Sequence, residues 1–198
     1  MCFEKSRPVF DKNKYIEAPR QGVVLYCREI TEKDPDVIRL YEFEEAYVVC
    51  PNGLIKYISE PGFYKIYYRP ARVVWARRTP LELTIGIPKM NLPFDYGINV
   101  TVSLIPRSQQ ALVSSLVGAK EITITLDMVK DELRRLLRIA VTNKRPDPNK
   151  DRNEVIREIH EELNELLRRS QFNMFVCDVL GVGFSHECGL LKSLVGET

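Results

Sequence analysis

The run from Tyr47 to Tyr68 constrains the fold more than any other segment. Apolar stretches at 46–50, 54–58 and 63–68 are separated by Pro51-Asn52-Gly53 and by Ser59-Glu60-Pro61-Gly62. Asn-Gly accepts the positive φ angles of a tight hairpin turn, and Pro-Gly suits a type II turn. The segment therefore predicts three strands joined by two tight turns.

The strand pattern extends on both sides. Residues 22–27 (Gly-Val-Val-Leu-Tyr-Cys) are a short strand, and Pro35 interrupts the charged connection at 31–36. A strand or short helix at 37–43 leads into the hairpin. A longer apolar run at 72–86 is broken by Pro80. Leu81, Leu83, Ile85 and Ile87 alternate with Glu82, Thr84 and Gly86, and Ile98, Val100, Val102 and Leu104 repeat the pattern. Period-two alternation marks half-buried strands, and short connections between them imply a largely antiparallel sheet.

Beyond residue 107 the period becomes helical. Ser108 is an N-cap for a helix to 117, with Gly118 as its stop. A brief strand at 121–125 precedes a helix with Val129, Leu133, Leu136, Leu137 and Ala140 on one face. After a loop at 143–153, Val155, Ile156, Ile159, Leu163, Leu166 and Leu167 define a second amphipathic helix, and a final strand covers 174–184. The class is α+β: a twisted, mostly antiparallel sheet of about six strands with helices on one side.

Composition narrows the function classes. A charged fraction of 28% with net charge +2 describes a globular chain whose overall field demands neither a nucleic-acid nor a membrane partner. No apolar run approaches the eighteen residues of a membrane span, and the first residues lack a signal-peptide core. A cytoplasmic protein is the expectation, free in solution or peripheral to a membrane. The five cysteines (Cys2, Cys27, Cys50, Cys177, Cys188) are odd in number and contain no C-x-x-C, so free, buried thiols in a reducing compartment are expected, with one native disulfide as the alternative. Cys2 lies close to Lys5 and Arg7, a setting in which acylation is conceivable but weakly marked.

The order of apolar strand, glycine turn, strand and Pro61-Gly62-Phe63-Tyr64 resembles the opening of the SPFH domain (stomatin, prohibitin and flotillin, also called band 7). The later run Leu166-Leu167 through Phe172 to Val176-Cys177-Asp178-Val179 resembles the strand that follows the helix pair in that family. The likeness is to soluble, virion-core-like members without a membrane anchor. It implies an SPFH-like domain over 22–188, an irregular arm at 1–21 and a short tail at 189–198. It also implies a non-enzymatic scaffold that forms homo-oligomers, with a peripheral membrane surface as a further partner and no small-molecule substrate or cofactor.

The constellations that could carry chemistry are incomplete. Asp147, Asn149, Asp151 and Asn153, with Glu158, approach the spacing of a calcium loop, but Arg152 occupies the position that requires glycine. Helix capping by Asp151 or Asn153 is the better account. His160 lacks a second histidine four residues on, since Asn164 stands there. Cys177, His186 and Cys188 lack a fourth zinc ligand, and Gly181-x-Gly183 precedes no helix N-terminus. No catalytic, metal or cofactor site is therefore assigned.

Basic residues remain. Arg69, Arg72, Arg77 and Arg78 flank Tyr67, Tyr68 and Trp75, and Arg134, Arg135, Arg138, Lys144 and Arg145 follow the first long helix. Arginines interleaved with aromatics can rest on anionic headgroups or stack on single-stranded nucleic acid. Arg69, Arg72, Arg77 and Arg78 are the candidate surface-binding residues of the alternative function, an anionic-lipid or nucleic-acid module, with nucleic acid disfavoured by the near-neutral charge. A metal-binding protein using the Asp147–Glu158 oxygens or the Cys177, His186 and Cys188 set is the remaining alternative.

Overall fold

The computed structural model describes residues 2–116 and 120–185. It is mixed α+β, and every strand ladder in it is antiparallel. The chain divides into two compact units, Met1–Thr79 with Ser108–Asp127 and Pro80–Arg107 with Met128–Thr198. Each unit is built from two separate segments of the chain.

The first unit holds two sheets. A three-stranded sheet runs β1 (Phe3–Ser6), β6 (Gly62–Ile66), β3 (Val37–Leu40). A five-stranded sheet runs β10 (Glu121–Thr125), β2 (Val23–Ile30), β7 (Ala71–Arg77), β4 (Glu44–Val49), β5 (Ile55–Ile58). Alternate side chains of both sheets enter one core: Ile38, Leu40, Tyr64 and Ile66 from the smaller, and Tyr26, Ile30, Val48, Val73 and Trp75 from the larger. Trp75 is 1% exposed; its indole N–H donates to the Arg39 carbonyl at 3.2 Å, so the ring is buried without an orphaned donor. The short helix α1 (Gln109–Ser115) starts at Ser108, whose hydroxyl accepts from the Ala111 amide at 3.1 Å. Its expected stop at Gly118 lies outside the described residues.

The second unit is a three-stranded sheet, β8 (Leu81–Ile87), β9 (Gly97–Pro106), β11 (Phe175–Ser185) in the order β11-β9-β8, with helices α2 (Leu126–Lys144) and α3 (Arg152–Arg168). The helices bury the faces their periodicity marks: Val129, Leu133, Leu136, Leu137, Ala140 and Val141 on α2, and Val155, Ile159, Leu163 and Leu167 on α3. Asp151 caps α3 by accepting from the Asn153 and Glu154 amides.

Three expectations are corrected. About six strands in one sheet become eleven in three sheets among the described residues. The first turn does close a hairpin, with β4 paired to β5 and Gly53 at φ 79°. The second carries the chain out of the large sheet into the small one, because β6 pairs with β1 and β3 and not with β5. A Pro-Gly turn serves either purpose; what decides is that Ile58 and Tyr64 reach the same core from opposite sheets. The arm at 1–21 is not irregular, since β1 pairs with β6 and Ile16 bridges to Ile38.

The cysteine expectation is corrected as well. Cys2 and Cys50 form a disulfide with a Cα separation of 6.4 Å, tying β1 to the end of β4 and leaving no Cys2 thiol to acylate. Cys27 and Cys177 are free and buried, and burial pushes their thiols up to about 11 and about 12. Cys188 lies outside the described residues. No helix among the described residues is long and apolar enough to cross a membrane.

Candidate functional site

The four candidate arginines do not form one surface. Arg69 Nη1 donates to the carbonyls of Thr31, Glu32 and Asp34 at 3.1–3.3 Å and so clamps the 31–36 loop. Within that loop the Thr31 amide and hydroxyl, aided by Arg28, hold the Asp34 carboxyl below its ordinary range. Arg72 Nη1 donates to the Leu116 carbonyl at the end of α1. Arg78 Nη1 donates to the Ser59 carbonyl at 3.2 Å. Only Arg77 is exposed without a partner among the described residues. Arg72 and Arg77 point to opposite faces of β7 by strand alternation, and Arg69 and Arg77 are eight positions apart, roughly 26 Å along an extended chain. Three arginines hold loops in place; one is left for a ligand.

The second basic cluster is largely neutralised along its own helix. Arg135 makes a two-pronged contact with Glu132 at 2.8 Å, Arg134 pairs with Asp131, and Lys144 pairs with Glu162 of α3. The calcium-like loop is spoken for in the same way. Lys150 bonds both Glu154 and Glu158, and Asp147 accepts from the Asn149 amide. Among the described residues no three His, Cys, Asp or Glu side chains converge as metal ligands. His160 sits half-buried on α3, Cys177 is sealed in β11, and His186 and Cys188 lie outside the described residues.

What the sheets leave uncovered is more informative. The Arg107 amide bonds the Met174 carbonyl, which sets the phase of the β9–β11 ladder: odd residues of β9 bond β11 and even ones bond β8. Cys177 and Val182 therefore turn their backbone groups to the outer edge of β11. Helix α3 seals that edge. The Asn164 side chain donates to the Cys177 carbonyl at 2.7 Å and accepts from its amide at 3.0 Å. Arg152 donates to the Val182 carbonyl at 2.9 Å.

By the same phase, Glu82, Thr84 and Gly86 turn their amides and carbonyls to the outer edge of β8. No backbone partner for them occurs among the described residues. Other outer strands carry devices that discourage pairing: Glu4 and Lys5 on β1, an irregular register at Ile124/Thr125 on β10, and Lys56 on the four-residue β5. Strand β8 has seven residues in unbroken register with β9 and no lysine. The alternation at 81–87 marked the strand, but nothing in it distinguished an edge from a centre.

No protein-family model matches the chain, and no curated protein matches it.

Proposed function

We propose that this chain is a non-enzymatic assembly domain whose copies join through the outer edge of β8. The observation that carries the reading is the contrast between β11, whose edge α3 closes, and β8, whose edge is regular and carries Glu82 as its single charge. Strand addition about a two-fold axis centred on Thr84 is self-complementary. Thr84 faces its own copy, Glu82 faces Gly86 and avoids a like charge, and Leu83 faces Ile85 on the apolar side. Pairing would satisfy the outward groups of Glu82, Thr84 and Gly86 and extend three strands to a continuous six. The SPFH resemblance, which implies side-by-side packing of copies, supports the same reading. The arginine-based lipid or nucleic-acid alternative loses force, because three of its four residues are engaged with backbone carbonyls.

Sedimentation velocity at ten to a hundred micromolar tests the proposal. The wild type is expected as a dimer or larger. Thr84→Pro deletes an outward amide and no internal ladder bond, so it should be folded and monomeric. A wild type that stays monomeric throughout, or a folded Thr84→Pro chain that still associates, overturns it.

A further inference from the structure

The turn between β4 and β5, the Cys2–Cys50 disulfide and Tyr68 line a cleft of about 380 Å³, within the size range of small-ligand pockets. It belongs to the first unit alone, and no residue of β8 takes part in it. Backbone bonds hold its frame. The Cys50 amide donates to the Leu54 carbonyl at 2.9 Å across the turn, and the Tyr67 amide donates to the Cys2 carbonyl at 3.0 Å. The disulfide is the floor between these two places, with both cysteines buried.

The walls, unlike the floor, are free surface. Leu54 is 47% exposed and Tyr68 54%, and exposed Pro51 lies beside them. Exposed apolar side chains scattered singly are ordinary, but here they share one concave site. Its polar groups are donors. Asn52 Oδ1 already accepts from the Leu54 amide at 3.1 Å, which leaves the Asn52 side-chain N–H groups to offer. Lys56 is exposed, has no acidic partner among the described residues and is the only charged residue lining the cleft. The Tyr68 hydroxyl is equally without a partner there. The cleft therefore offers an apolar slot, one ammonium, two neutral donors and no carboxylate.

We propose that this cleft binds a small amphiphilic carboxylate, an apolar body with a single anionic end. The body lies over the disulfide against Leu54, Pro51 and the Tyr68 ring. The carboxylate meets the Lys56 ammonium, with the Asn52 amide and the Tyr68 hydroxyl as neutral donors for its remaining lone pairs. One carboxylate balances one ammonium, whereas a phosphate dianion would bring a second charge with no second cation among the lining residues. An amine would meet the field of Lys56, and an alcohol would leave the charge-assisted bond unmade.

Titration of the full, oxidised chain with octanoate, octan-1-ol, octylammonium and acetate, followed by amide chemical shifts in two-dimensional NMR, tests this. Octanoate should move the signals of residues 50–56 and 68 and bind at least about threefold more tightly than octan-1-ol, the range of an exposed ion pair. Octylammonium should bind more weakly than the alcohol, and acetate, which lacks the apolar body, more weakly than octanoate. Lys56→Gln should lower octanoate to the affinity of the alcohol and leave the alcohol unchanged. Leu54→Ser should weaken both alike. Octanoate binding no tighter than octan-1-ol or acetate overturns the proposal, as do shifts confined to other parts of the chain. So does a Lys56→Gln variant that keeps full octanoate affinity; Lys56 is exposed and unpaired, so this variant is expected to fold.

Discussion

Glu44 is a residue whose ionisation its surroundings shift. Burial raises its pKa above the ordinary value of 4.5, reinforced by Glu17 and opposed by the Tyr41 amide and by Arg20 and Arg39. The folded state therefore binds this proton more tightly than the unfolded one. Its contribution to stability is complete below the ordinary carboxylate pKa and is lost as the pH rises through the folded value. Glu44→Gln removes that dependence. Subtracting its urea-unfolding free energies from those of the wild type between pH 4 and 8 should give a difference that falls with pH. A flat difference would show that Glu44 does not titrate this way. The disulfide is the other residue-scale determinant. Cys2 and Cys50 are 48 positions apart, so reduction, or Cys2→Ser, should cost about 2–4 kcal/mol in unfolding free energy. Neither feature was legible in the sequence. Nothing at Cys2 or Cys50 marks them as partners over that distance, and Glu44 stands among other acidic residues at 42–45 that are not buried.

At the scale of elements, the sequence was most readable where one residue decides a local geometry. Ser108 and Asp151 cap helices as their side chains dictate, Gly53 turns the β4–β5 hairpin, and the alternations at 81–87 and 98–104 are strands. Sheet membership was not readable, because β5 and β6 are consecutive, joined by a good turn, and nevertheless belong to different sheets. Arginine roles were equally hidden: Arg69, Arg72 and Arg78 bond backbone carbonyls, which carry no signature in side-chain order. The seal on β11 is the element-scale feature with the sharpest consequence. Asn164→Leu removes a side chain that bonds both the amide and the carbonyl of Cys177. It should cost about 2–4 kcal/mol in urea unfolding, since two backbone groups lose their only partner. Unchanged stability would mean that solvent serves that edge as well as the amide does.

For the whole molecule, the proposed dimer would rest on backbone hydrogen bonds and apolar pairs, with no ion pair across the strand junction. Its dissociation constant, followed by sedimentation between 50 and 500 mM salt, should change less than about threefold, because screening acts on exposed charges and not on such contacts. A steep salt dependence would point to the arginines instead. The two-unit organisation also bears on how the chain comes into being. It passes from one unit to the other after residues 79, 107 and 127, so neither is a continuous piece of polypeptide. During synthesis the β8–β9 ribbon leaves the ribosome some seventy residues before β11. Throughout that interval its apolar face has neither a third strand nor α3 to cover it, while the first unit can close as soon as β10 arrives. A nascent chain whose emerged part ends between residues 130 and 150 would thus carry one finished body and one sticky hairpin, the species that chaperones should recognise.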